Sequence, residues 1–507
     1  IFQEIADWGG GPAGNSTQLY IKFNDGAGNT GQSTGPNATD ALGGWRVYLR
    51  PETDDGARWD IGLVDPYLPV RGTLLFPYNR FLSDGSRVRS LLIGSGTTLS
   101  TYDVTNGLQV VGALPGRADA CSAAQYGSKV IIAGPIGRRP VIFEGGGLRN
   151  DGIRAPTATP VVTVSNTGPG AFVAGQYYLY VTYRSTSGDT IIESNPSPGI
   201  LVTFAVNDTI DSIVLPVSSD PQVNQRRIYM TAVAVTATDG ANAYLVATID
   251  DNSTVTYSTV INGPVSTSST ALVYFDHAEA PDATVVGQFL DYTLLGGSQK
   301  FPTRLYYSFV GTPDYWDPTT GGRYLDLDLD SGDPIIAIAP LLDRSIVDVG
   351  DGKWGIYATG DVERPLAKTR VNDTHGAIGP QASLVINNQQ WYIGESDFYV
   401  SDGYRESNIS SPDEPPATAP VYIQALGRTS IQDTLKQRID WTERNKFCVI
   451  EHRARNQIYF CVRLNNGPSW LTGTNTHVFV YDTIQAFWSQ YDIPIDCGAL
   501  AEIASEK

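Results

Sequence analysis

Residues 303–360 run TRLYYSFVGTPDYWDPTTGGRYLDLDLDSGDPIIAIAPLLDRSIVDVGDGKWGIYATG, a succession of short apolar runs and turn residues. Leu305-Tyr306-Tyr307-Ser308-Phe309 is rich in strand formers and ends at the turn residues Gly311-Thr312-Pro313-Asp314. Ile335 to Leu341 is a nearly unbroken apolar run, as a strand covered on both faces would have. Asp343 to Gly355 follows as a hairpin with Gly350-Asp351-Gly352 at its tip. Short strands and turns with no helix between them encode antiparallel sheets stacked in a ring, so the expected fold is a β-propeller.

The same texture extends outward. Before the quoted stretch, Gly72–Phe76, Arg89–Gly94 and Leu99–Tyr102 make one module; Cys121–Tyr126, Val130–Ala133 and Pro140–Phe143 make another. After it come Ala382–Ile386, Gln390–Gly394 and Asp397–Gly403, then Cys448–His452, Gln457–Val462, His477–Asp482 and Ala486–Tyr491. Each unit spans roughly 40 residues, the length of a propeller blade, which predicts six or seven blades. Trp45–Leu49 and Trp59–Leu63 read as an earlier strand pair behind a Gly- and Asn-rich arm, and Ser430–Trp441 as the one helix. Gly498–Ala501 reads as a last strand closing the ring.

At Arg154-Ala155-Pro156 the texture changes. From 155 to 278 charge clusters are scarce and strand-like runs such as Tyr177–Arg184, Arg227–Ala232 and Tyr244–Ile249 alternate with turns. About 120 residues with this spacing suit a β-sandwich, and the lack of cysteine favours the fibronectin III over the antibody type of immunoglobulin fold. The expected organisation is therefore an arm and first blades over 1–154, an inserted sandwich over 155–278, and the remaining blades over 279–507.

Composition limits the function. With 35 Lys and Arg against 53 Asp and Glu, the net charge of −18 leaves no basic footprint for gripping nucleic acid. Hydrophobic residues at 41% suffice for a large core. The four cysteines (Cys121, Cys448, Cys461, Cys497) lack zinc-ligand spacing. Cys448 and Cys461 flank a hairpin turn symmetrically, as a cross-strand bridge or as two buried thiols. Six N-x-S/T sequons read either as glycosylation sites of a secreted protein or as the ordinary turn chemistry of a β protein. No stretch has the ~18 apolar residues of a membrane span. The opening at Ile1, without a signal pattern, reads as a processed or partial chain.

No nucleophile elbow, metalloprotease helix or phosphate loop is present. The histidines are scattered, and the pair Asp276-His277 reads as a loop surface. The sharpest cluster is Asp326, Asp328 and Asp330, three carboxylates on one face of a strand. Ser331 and Ala337 stand where a calcium loop needs Gly and Glu, so the cluster reads as an edge strand with Leu325, Leu327 and Leu329 inward, or as an acidic channel face. Trp316, Trp354, Trp391 and Trp488 read as packing between blades. These features predict neither catalysis nor a cofactor.

The run Tyr306-Tyr307-Ser308 to Thr312-Pro313-Asp314-Tyr315-Trp316, then Gly332-Asp333-Pro334-Ile335, resembles the propeller proteins of tailed-phage virions. So does Asn456-Gln457-Ile458-Tyr459-Phe460 with Val480-Tyr481-Asp482 and Phe487-Trp488-Ser489. That family comprises the tail nozzle (tail tubular B type) and packaged-DNA stabilisation proteins. The resemblance implies a virion tail protein in a ring, typically a hexamer, that contacts adaptor or tail-tube proteins and fibres and passes double-stranded DNA without specific binding. The alternative expectation is a secreted propeller that binds or cleaves glycans.

Overall fold

The computed structural model describes residues 72–410 and 438–499, apart from 82–85, 104–105, 167, 187–189, 234–241, 273–276, 318–322, 328–331, 351, 373–374, 396, 466–474 and 492–494. It also describes a hairpin pairing Ile21–Asn24 with Thr30–Ser33. The chain divides into two compact units at Arg71/Gly72, a boundary inside the span expected for arm and first blades. The expected strands at 45–49 and 59–63 and most of the expected helix at 430–441 lie outside the described residues. Where that helix was to end, Trp441–Lys446 forms a 3-10 turn capped by Asp440.

Among the described residues of the larger unit there are six four-stranded antiparallel sheets, each paired in simple sequence order. They are the blades of a β-propeller. Sheet one holds Gly72–Phe81, Arg87–Ser95, Thr98–Asp103 and Gly107–Ala113, and sheet two Ser122–Tyr126, Lys129–Ala133, Val141–Glu144 and Gly147–Asn150. Sheet three holds Val285–Phe289, Tyr292–Gly296, Arg304–Tyr307 and Tyr324–Asp326. Sheet four holds Ile335–Pro340, Ser345–Val349, Gly352–Ala358 and Leu366–Asn372. Sheet five holds Ser383–Ile386, Gln389–Ile393, Phe398–Ser401 and Glu406–Asn408, and sheet six Cys448–His452, Gln457–Val462, His477–Asp482 and Phe487–Tyr491.

Side chains of a strand alternate between faces, so a blade inside the stack must be apolar on both. Val130 and Ile132 enter the core shared with sheet one, while Ile131 enters the core shared with sheet three. In sheet three, Leu305 and Tyr307 face sheet four while Tyr306, between them, faces sheet two. The continuous apolar runs of the sequence are this double burial. First strands of successive sheets are neighbours, which puts them at the inner rim. Across that rim Gln381 Nε2 donates to Thr73 O at 3.0 Å.

Two-residue turns join many of the strands. Asn387 and Asn388 both have positive φ (50° and 61°), the geometry whose twist matches a hairpin. Of the expected closing strand, 500–501 lies outside the described residues. The segment ahead of it runs along sheet six, held by Asn475 Nδ2 on Ile495 O at 2.9 Å.

Between sheets two and three lie two further sheets. Gly175–Ser185 pairs with Ile192–Glu193, Ile200–Phe204 and Gln225–Thr231, the last pairing onward with Ala243–Ile249. Val161–Ser165, Thr209–Val214 and Thr256–Tyr257 form the other. The two face each other across one core, with Leu179, Val181 and Met230 from the first and Ile210 and Ile213 from the second.

Candidate functional site

A surface groove of ≈ 450 Å³ opens between sheets four and five, lined by Arg344, Tyr357, Thr369, Arg370, Val371, Gly403 and Tyr404. Arg344 ends the tight loop between the first two strands of sheet four, closed by Leu341 N donating to Arg344 O at 2.8 Å. Tyr357 lies on the third strand and residues 369–371 on the outer one. Gly403 and Tyr404 come from a hairpin turn of sheet five. Asp402 shapes that turn, its Oδ1 accepting from Tyr404 N at 2.8 Å and Arg405 N at 2.7 Å.

One glycine lets the halves meet. Gly403 has φ +87°, and a Cβ there would lie 2.9 Å from Leu341 Cδ1 and 3.0 Å from Arg344 Cδ. The Arg344 guanidinium sits against the face of the Tyr404 ring, 3.5 Å from its centroid. Tyr404 Oη donates to Asp343 Oδ2 at 2.7 Å, and Arg344 Nη2 approaches the same oxygen at 3.3 Å. One ring face is therefore pinned, yet Tyr404 is 63% exposed and Tyr357 39%, which leaves aromatic surface open to a ligand.

The walls are braced from within. Lys353 and Asp348, both wholly buried, form an ion pair. Gln390 joins them, accepting from Lys353 Nζ at 3.0 Å and donating to Asp348 Oδ2 at 2.6 Å. Beside them Tyr392 donates to Glu406, which also accepts from Asn372 Nδ2 at 2.8 Å. Burial lowers the Lys353 pKa, and burial with the Glu406 charge drives that of Tyr392 upward. A satisfied buried network of this kind holds neighbouring sheets in one arrangement.

The carboxyls beside the groove are shifted by the hydrogen bonds they accept. A glycosidase needs one carboxyl raised enough to act as an acid beside a second carboxylate. The Tyr404 hydroxyl, then Arg344, hold Asp343 below the usual carboxylate range, and the Arg405 and Tyr404 amides do the same to Asp402. Among the described residues no group of three or more His, Cys, Asp or Glu is placed to hold a metal ion. None of the helices there is long and apolar enough to cross a membrane.

The residues singled out from the sequence lie elsewhere. Asp326 is matched bidentately by Arg304 (2.7 and 3.0 Å), whose guanidinium is sandwiched between Phe301 and Tyr324. Leu327 is buried and Leu325 half-buried, while Asp328, Leu329 and Asp330 lie outside the described residues. His277 stacks on Tyr315; Asp276 is outside the described residues. Trp316 and Trp391 are buried between blades, Trp488 packs half-buried on the core of sheets five and six, and Trp354 lies beneath Lys368 and Arg370. Cys448 and Cys461 are opposite one another and buried as free thiols. Of the groove residues, only the Asp402-Gly403 turn signal is visible in the sequence.

No known protein family matches the chain, and no curated protein does. Solved structures match at low similarity. AztD of Citrobacter koseri is 10% identical with a TM-score of 0.24, over 80% of this chain and 93% of that one. Hsv2 of Kluyveromyces lactis is 7% identical with a TM-score of 0.25, over 82% and 98%. PorZ of Porphyromonas gingivalis, an essential bacterial surface component of the type IX secretion system, is 12% identical with a TM-score of 0.23, over 94% and 59%. None of these three is a phage protein, which corrects the expectation of a virion tail nozzle. The aromatic and turn motifs behind that expectation serve blade packing, as Trp316 and Trp488 do here.

Proposed function

We propose that this protein is a glycan-binding β-propeller whose sugar ligand sits in the groove between sheets four and five. The supporting observation is the Tyr404 ring, fixed on one face by Arg344 and at its hydroxyl by Asp343, with Tyr357 exposed in the same groove. A pyranose has an apolar C–H face and a polar rim. A rigid aromatic plane next to a fork of N–H donors and a carboxylate complements both. The hydrogen bonds that lower Asp343 and Asp402 support a role in recognition. We assign the insertion to the fibronectin III-like sandwiches, on the strength of its two sheets around a cysteine-free core.

Glycan-array binding of the full chain tests the reading. Tyr404→Ala and Tyr357→Ala are each expected to weaken the best array ligand by at least about tenfold, some 1.4 kcal/mol. The same oligosaccharide incubated with the wild type should stay uncleaved. Absence of binding across the array, or turnover of a bound sugar, would overturn the proposal.

A further inference from the structure

The chain leaves the propeller at Asp151–Arg154 and returns at His277–Ala283, and these two connections are tied together. Ala280 N donates to Asp151 O at 3.1 Å, and Asp151 N to Pro140 O at 3.0 Å. Ala278 N donates to Trp316 O at 3.0 Å, and the Trp316 indole donates to Asp151 Oδ1 at 3.0 Å. Asp151 is wholly buried, and its Oδ2 has no hydrogen-bond partner. At Gly152 (φ +71°) a Cβ would lie 2.8 Å from Glu279 Cα, so the two connections touch backbone to backbone.

The surrounding cations and carboxylates pair with one another. Lys129 pairs with Asp314, and Arg149 with Asp314 at 2.7 Å and with Glu144 at 3.1 Å. Arg139 pairs with Asp220 at 2.7 Å and Glu279 at 2.8 Å, and Arg154 with Glu279 at 2.7 Å. These are four cations, Lys129, Arg149, Arg139 and Arg154, against four carboxylates, Asp314, Glu144, Asp220 and Glu279. Two further titratable residues lie on the returning connection: His277, stacked on Tyr315, and Asp282, which accepts from Ser298 Oγ at 2.8 Å and Gln299 N at 2.6 Å. An ionised Asp151 would be a further buried negative charge, facing only Arg149 and Arg139, which Asp314, Glu144, Asp220 and Glu279 already engage.

We propose that Asp151 is a proton-held latch: in its neutral form it clamps both connections of the insertion to the propeller, and losing its proton loosens them. Burial, and then the Asp314 charge, raise its pKa to about 8, against which the Trp316 hydrogen bond and the Arg149 and Arg139 charges act. The sign follows from linkage. An opened latch exposes an ordinary carboxylate, which binds fewer protons than the closed one at every pH between about 4 and about 8. The clamp is therefore strongest in acid, weakens as pH rises through that window and is weakest above it.

Hydrogen exchange of the full chain between pH 5 and 9.5 tests this, read at the amides of 152–155 and 278–280. After correction for base catalysis of exchange itself, the opening equilibrium should rise by up to roughly tenfold per pH unit and level off above about pH 8. Asp151→Asn, which keeps the acceptor for Trp316, should be flat over the same range. Trp316→Phe, which removes a hydrogen bond to the ionised form, should move the levelling point to higher pH. Equal pH profiles in wild type and Asp151→Asn would overturn the latch, as would a wild type with no pH dependence. Groove binding takes no part in this measurement, so its outcome is independent of the glycan proposal.

Discussion

At Gly403 the absence of a single carbon brings two sheets into contact. The residue has positive φ and lies against Leu341, Arg344 and Ile346, so alanine there meets strain and crowding together. Gly403→Ala is expected to cost about 1–3 kcal/mol, seen as a lowered thermal midpoint, and to weaken glycan binding by lifting Tyr404 off Arg344. Gly360 has similar backbone (φ +79°) with nothing within 4 Å, so Gly360→Ala carries the strain alone and should cost less. The Asp402-Gly403 turn was legible in the sequence because turn chemistry is local. The stacking of Tyr404 on Arg344 was not, because the partners are far apart in sequence and on different sheets.

At the scale of the strand, Ser345–Val349 and Gly352–Ala358 were readable as a hairpin from their apolar runs and their glycines. The fate of Asp348 and Lys353 was not. Both look like the solvent-facing members of a half-exposed pair, and only the neighbouring Gln390 and Tyr392 of sheet five enclose them. Such a pair is costly to break on one side and far less costly to replace whole. Asp348→Ala is expected to destabilise by about 3–5 kcal/mol in denaturant unfolding, and Asp348→Leu with Lys353→Met by much less. Additive losses in the double variant would contradict this account of the network. The same contrast holds for the acidic strand, where Leu327 inward was foreseeable and the match of Asp326 to Arg304, on the neighbouring strand, was not.

For the whole molecule, double-sided burial made the propeller legible, while function was not, since the same stack of sheets serves many unrelated roles. Asn252, Asn372 and Asn408, three of the sequon asparagines, use their side chains in internal hydrogen bonds. The insertion adds a prediction at this scale. Its two connections already hydrogen-bond at 3.1 Å, so replacing 155–276 with a short Gly/Ser linker costs little in loop closure. The shortened chain should keep its β-sheet circular dichroism and cooperative unfolding, and a chain that fails to fold would show the insertion to be part of the propeller's core. The joining of these connections also has a mechanical meaning. A pull on the inserted sandwich reaches the ring through two adjacent chain segments tied crosswise by Asp151, Trp316 and Ala280, so the tie takes the strain before any blade does. The sandwich can act as a handle whose slack depends on acidity, yielding more readily in alkaline surroundings than in acid ones.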